Sequence, residues 1–238
     1  MSEQSSQSVT SCHQTVCSGS SFRQFFPAVL SGSSFRQFIP AVSSSGSRIF
    51  MQLLGSIAHS CQIVGGDTRM ARITLFRHAK AETPTADIAD FDRVLAARGR
   101  RNADRMGRFV VECGLVPDLA IVSPAARTRQ TYEVAAAHWP DIAVEHRPGI
   151  YEASAETIMT AITALGAAHE HVMVIGHNPG LVVLLHHLVE SWPSGINMSY
   201  FPTSCLAEIG FDAPTIGEIN PDDGRLLSFV RVRELPDI

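Results

Sequence analysis

Ile73-Thr74-Leu75-Phe76-Arg77-His78-Ala79 decides the fold: an apolar run of strand type that stops at an arginine and a histidine. A strand that ends there delivers both side chains to its carboxyl end, the edge where open α/β sheets bind ligands. Two later segments repeat the arrangement. Ala120-Ile121-Val122 runs into Ser123-Pro124-Ala125-Ala126-Arg127, and Val172-Met173-Val174-Ile175 runs into Gly176-His177-Asn178-Pro179. Two histidines and two arginines, each delivered from a strand end, form a candidate site for a phosphoryl group.

Outward from these junctions, strand-like and helix-like runs alternate from Arg72 onward. Hydrophobic periodicity predicts strands near 72–77, 118–123, 171–176, 204–211 and 226–233, with a short extended piece near 144–150. Helices are predicted near 93–113, 124–138, 155–169 and 179–191. Such alternation means an α/β fold, a three-layer α/β/α sandwich around a mostly parallel sheet. No helix separates the last two strands, so one edge is expected to be antiparallel. Asp212 to Asp223, with Pro214 and Pro221 inside it and Gly224 after it, reads as their connection.

The chain has 238 residues, 45% hydrophobic and 18% charged, which is ordinary for a soluble globular protein. A formal charge of -4 and a pI near 6.2 give no support for a nucleic-acid or anionic-membrane partner. No apolar run approaches the roughly 18 residues that a bilayer span needs. Cys12, Cys17, Cys61, Cys113 and Cys205 contain no C-x-x-C pair, so neither a disulfide framework nor a zinc site is expected. The expected location is the cytoplasm and the expected state a monomer.

Residues 1–69 differ in kind from the domain expected over 70–238. They are serine-rich, poor in acidic residues between Glu3 and Asp67, and carry a near-perfect tandem duplication. Ser18 to Val29 recurs as Ser31 to Val42, with Ile39 in place of Phe26. Two copies are too few for a solenoid, and this composition cannot bury enough apolar surface to offset chain entropy. Disorder is the expectation. Three readings of the segment stay open: a translated upstream region with the true start at Met70, a targeting peptide, or a functional tail. The apolar stretch Ile49 to Ala58 lacks a strongly basic flank, which argues against secretion.

The chemistry follows from the junctions. Ser123-Pro124 and Asn178-Pro179 each pair an N-cap residue type with proline, predicting helix starts directly after buried strands. Free N–H groups at such starts favour bound phosphate. Arg127, one turn on, has the planar fork that suits phosphate oxygens. A neutral His78 can attack phosphorus when one ring nitrogen is free and the other N–H is held. The resulting phosphohistidine would be hydrolysed by water, with Arg77, Arg127 and His177 neutralising the transferring group. The scheme needs no metal and no cofactor.

Leu75-Phe76-Arg77-His78-Ala79-Lys80-Ala81-Glu82, Ser123-Pro124-Ala125-Ala126-Arg127-Thr128-Arg129-Gln130-Thr131 and Ile175-Gly176-His177-Asn178-Pro179 together resemble the histidine phosphatase superfamily, also called phosphoglycerate-mutase-like. Alanine after His78 resembles the SixA-type phosphohistidine phosphatase branch rather than the mutases. Asp92-Arg93-Val94-Leu95-Ala96-Ala97-Arg98-Gly99 is similar to that branch's approach to its first long helix. The resemblance runs from about Arg72 to Arg233 and implies His78 as the phosphorylated residue, with Arg77, Arg127 and His177 as the pocket. Asn178 and Lys80 are further substrate-binding candidates. Ester phosphatases of the superfamily usually add an acidic proton donor, and Glu152, in Ile150-Tyr151-Glu152-Ala153-Ser154, lies where that acid would come. Its other reading is an exposed residue near a helix start capped by Ser154. The expected substrate is phosphohistidine on a protein; a small phosphate ester and phosphate recognition without turnover remain the alternatives.

Overall fold

A computed structural model of the chain describes residues 70–192 and 200–235. The duplication and the disorder expected over residues 1–69 lie outside these described residues. Strands β1 (Ala71–Arg77), β2 (Leu119–Val122), β3 (Ala143–His146), β4 (His171–Gly176), β5 (Cys205–Phe211) and β6 (Arg225–Arg231) form one sheet. Its order is β3-β2-β4-β1-β5-β6. The pairs β3·β2, β2·β4 and β4·β1 are parallel, while β1·β5 and β5·β6 are antiparallel, so the antiparallel edge is where the missing helix predicted it. Helices α1 (Ala97–Glu112), α2 (Ala126–Ala136), α3 (Ala155–Gly166) and α4 (Gly180–Leu188) connect the parallel strands and follow β4.

Alternation along the strands divides the core into two layers. Ile73, Leu75, Ile121, Val172, Val174, Ala207 and Ile209 point to one face, where Ile158, Ile162, Leu181 and Leu185 of α3 and α4 cover them. Phe76, Ala120, Val122, Met173, Ile175 and Leu206 point to the other, against Met106, Phe109 and Val110 of α1 and Ala135 of α2. β1 and β4 sit in the middle with both faces covered, which is why they read as continuous apolar runs. β3, exposed along its whole length, is the edge strand within the piece that the sequence marked only as extended.

Register fixes the functional edge. Arg77 lies opposite Gly176, and Val122 opposite Ile175, so β1, β2 and β4 all end at one level. The residues that follow them, His78, Ser123 and His177, therefore emerge side by side.

Three predicted boundaries are corrected. The first long helix begins at Ala97 rather than 93, because Leu95 forms a bridge with Ala81 and Val94 O accepts from Glu82 N, which keeps 93–96 extended. Ser123 does not cap α2: the N-cap is Ala125, and the buried Ser123 hydroxyl is spent on His177. Asn178 does not cap α4 either. That helix starts at Gly180 behind Pro179, with the Asn178 amide turned to the Phe201 carbonyl. The Asn178-Pro179 bond is cis. Ser154 does cap α3, accepting from Thr157 N.

Candidate active site

His78 leaves β1 with its backbone tied on two sides. Its N–H donates to Gly176 O at 3.1 Å, and Ser204 N–H donates to the carbonyls of both Arg77 and His78 at 3.2 Å. Ser204 holds a φ of 59°, a left-handed conformation unusual for serine, to make that approach. The next residue is pinned as well: Ala79 N donates to Thr131 Oγ1, which itself donates to Arg127 O. One threonine thus couples the loop after His78 to the first turn of α2.

The imidazole of His78 places Nδ1 at 2.8 Å from Ala79 O. A carbonyl can only accept, so Nδ1 carries the hydrogen and Nε2 keeps its lone pair. Burial above all pushes the pKa down to about 3; the Ala79 carbonyl opposes this, while His177, Arg127 and Arg77 add to it. The ring is neutral at physiological pH. His177 follows β4, its centroid 5.2 Å from that of His78 with the planes at 51°. Its Nε2 shares a 2.7 Å hydrogen bond with Ser123 Oγ, and burial followed by Arg127 lowers its pKa to about 4, against a raising contribution from Asp90.

The arginines are anchored through backbone carbonyls. Arg77 Nη1 donates to Phe201 O at 2.8 Å, the same oxygen that accepts from Asn178 Nδ2 at 3.0 Å. Arg127 donates from Nη1 to Asp90 O at 2.6 Å and pairs through Nη2 with Asp90 Oδ2 at 2.9 Å. Its guanidinium stands 5.8 Å from the centroid of the Tyr151 ring, and that ring meets His177 edge to face at 5.4 Å.

Four buried polar atoms of this neighbourhood have no hydrogen-bond partner among the described residues: Arg77 Nε, His177 Nδ1, Asn178 Oδ1 and Ser204 Oγ. Buried polar groups are nearly always satisfied, so these atoms are free to bond a polar ligand. Arg77 Nε can only donate and Asn178 Oδ1 only accept, while the guanidiniums of Arg77 and Arg127 supply the positive charge that suits an anion. Among the described residues no group of three or more His, Cys, Asp or Glu is placed to hold a metal ion.

The five residues expected at the pocket, Arg77, His78, Arg127, His177 and Asn178, are thus brought to one strand-end edge and linked through shared neighbours. Lys80 is exposed, with its carbonyl accepting from Ala96 N. Glu152 is also exposed, at a φ of 49°, and has no hydrogen bond or ion pair among the described residues. Its neighbour Tyr151 is the one that turns inward. Asp90, Tyr151, Thr131, Phe201 and Ser204 are not among the candidates read from the sequence, and Ser123 is expected there only as a helix cap. Ser123, Thr131 and Tyr151 stand inside stretches already singled out, whereas Asp90 sits in a loop without any periodic signal.

The model of the histidine phosphatase superfamily (branch 1) matches residues 73–163. Among solved structures, a protein from Agrobacterium tumefaciens assigned as the phosphohistidine phosphatase SixA is 30% identical. The match covers 68% of this chain and 97% of that one, with a TM-score of 0.57. A protein histidine phosphatase SixA complexed with tungstate shares the fold at 20% identity and a TM-score of 0.58, covering 69% of this chain and 99% of that one. An uncharacterised protein of Mycobacterium tuberculosis is 35% identical over 104 residues, 43% of this chain. The chain spans 63% of the length of that relative.

Proposed function

The chain belongs to the histidine phosphatase superfamily, and on that premise we propose that it removes phosphate from phosphohistidine on a protein, passing the group through His78. The observation that carries the reading is the 2.8 Å contact between His78 Nδ1 and the Ala79 carbonyl. It supports a neutral imidazole with its proton on Nδ1 and the Nε2 lone pair open for attack.

In the first step Nε2 bonds to phosphorus as the bond from phosphorus to the substrate nitrogen breaks. The departing imidazole keeps that electron pair and takes up a proton from solvent. In the second step water attacks phosphorus, the bond to Nε2 breaks, inorganic phosphate leaves and His78 regains its lone pair. Arg77, Arg127, His177 and Asn178 hold the transferring group, and their burial strengthens every charged hydrogen bond to its oxygens. The guanidiniums supply the positive charge, so no metal or cofactor enters the scheme. Lys80, exposed just past His78, is available to the surrounding protein surface.

Two considerations favour phosphohistidine over an ester. The Agrobacterium protein, at 30% identity, carries the name of a phosphohistidine phosphatase. Expelling an alkoxide also calls for an acid within reach, whereas an imidazole leaves more readily. Neither nearby carboxyl is suited to act as that acid. Arg93 above all holds Asp90 down to about 2, and Glu152 makes no hydrogen bond or ion pair among the described residues.

Phosphate release from a phosphohistidine protein and from an aryl phosphate, measured in EDTA with the full chain and its His78→Ala variant, tests the proposal. Expected is turnover of the phosphohistidine protein that survives EDTA and vanishes in the variant. Release from the ester alone would move the substrate to small phosphate monoesters and bring Glu152 back as the acid. Phosphate binding without turnover would make the site a recognition module.

A further inference from the structure

Asp90, outside the phosphate pocket, joins three side chains around the site. Its carbonyl and its Oδ2 take the two Nη groups of Arg127 at 2.6 and 2.9 Å. The same Oδ2 accepts the Tyr151 hydroxyl at 3.0 Å, and Oδ1 is held by Arg93 Nη1 at 2.6 Å. The arrangement is lopsided: the Asp90 side chain is 44% exposed, the Arg127 side chain 6%. An exposed anion on the short turn Asp90–Asp92 thus fixes a buried cation from outside.

A carboxylate on the arginine of a phosphate pocket admits two roles. It either occupies the place of a phosphate oxygen and must leave, or it stays and orients the guanidinium. The contacts favour the second. Arg93, Arg127 and Tyr151 hold Asp90 together, so displacing it breaks three polar links. A guanidinium has five N–H donors, and Asp90 uses one on each Nη, so donors remain for a ligand even with the Tyr151 hydroxyl beside them. Tyr151, held by its hydroxyl, keeps its ring 5.4 Å from the His177 ring.

Resting on the phosphatase reading, we infer that Asp90 is a positioning residue for phosphoryl transfer: its grip on Arg127 and Tyr151 sets both against His177 before substrate arrives. A long flexible side chain held in advance spares the transition state the cost of ordering it.

Kinetics of the full chain, Asp90→Ala, Arg127→Ala and the double variant test this, with binding of orthovanadate followed by calorimetry. Asp90→Ala should lower kcat by about 10–100-fold while KM changes by less than about threefold. In the Arg127→Ala background the same change should cost no more than about twofold, because the grip has nothing to hold. Orthovanadate should bind roughly tenfold more weakly to Asp90→Ala. Asp90→Asn, which keeps an acceptor for the guanidinium, should recover part of the loss and guards against a folding defect in the alanine variant. Undiminished kcat, an equal loss in both backgrounds, or tighter vanadate binding with turnover retained would each overturn the inference. If the wild-type chain turns over neither substrate, the phosphatase reading fails by itself. Vanadate then decides for Asp90: weaker binding in Asp90→Ala supports the grip, and unchanged or tighter binding overturns it.

Discussion

The hydroxyl of Ser123 lies 2.7 Å from Nε2 of His177, joining residues 54 apart in the chain. Both follow the carboxyl ends of neighbouring parallel strands, and both are buried. The bond leaves Nδ1 as the ring's unpartnered nitrogen. When Ser123 donates, the proton sits on Nδ1, where a phosphoryl oxygen can accept it.

Ser123→Ala removes that bond and strands a second ring nitrogen in the interior. A hydrogen bond of this kind contributes about 1 kcal/mol net, and an unsatisfied buried group costs about 1–3 kcal/mol. The variant should lose stability within that range and turn over roughly tenfold more slowly. Steady-state kinetics beside thermal unfolding checks both, and unchanged turnover would remove Ser123 from the site's design.

Tyr151 and Glu152 separate cleanly by experiment. Tyr151→Phe keeps the ring on His177 but deletes the hydroxyl that Asp90 accepts, so kcat on a phosphohistidine protein should fall by about 3–10-fold. Glu152→Gln, at an exposed position without a hydrogen bond or ion pair among the described residues, should stay within about twofold of the parent on the same substrate. A large loss in Glu152→Gln would show that the carboxyl reaches the leaving group after all.

What the sequence makes legible here is whatever depends on local pattern. Strand ends at Arg77, Val122 and Gly176 are readable because apolar runs of strand length stop abruptly at polar residues, and the parallel sheet then aligns those ends. The helix starts are misread for an instructive reason. Ser123 and Asn178 have the chemistry of caps, but a tertiary partner, His177 or Phe201, takes the side chain instead. Asp90 is invisible because its importance rests on Arg127 and Tyr151, which only the folded loop brings to it. Glu152 is named by the expectation of a proton donor, whereas the contacts of Tyr151 with Asp90 and His177, one residue earlier, carry no local signal.

Gly99 shows how closely the first long helix approaches the loop after His78. A Cβ there would lie 2.0 Å from the Lys80 carbonyl oxygen, a backbone atom that cannot swing aside. Alanine normally favours a helix by about 1 kcal/mol over glycine. At this position the sign reverses, and Gly99→Ala should lower the melting temperature and cut turnover by shifting Lys80 and with it His78. Thermal unfolding and kinetics of this single variant test the contact, and a stabilised, fully active Gly99→Ala would refute it.

The histidines also set the acid response. Burial is the leading cause that lowers His78 and His171 to about 3 and His177 to about 4, from an ordinary value of 6.5. Below 6.5 the unfolded chain therefore binds protons that the folded chain refuses, and stability falls as the pH drops from there toward 3. Above 6.5 all three are neutral in both states and contribute no slope. Turnover should behave differently, staying flat from about pH 8 to about pH 5 because His78 remains neutral throughout. Melting temperature and kcat measured across that interval should part company, the first declining on the acid side while the second holds. An acid limb in kcat near the ordinary histidine value would mean that His78 is solvated in the working enzyme, and the neutral-nucleophile account would fail with it.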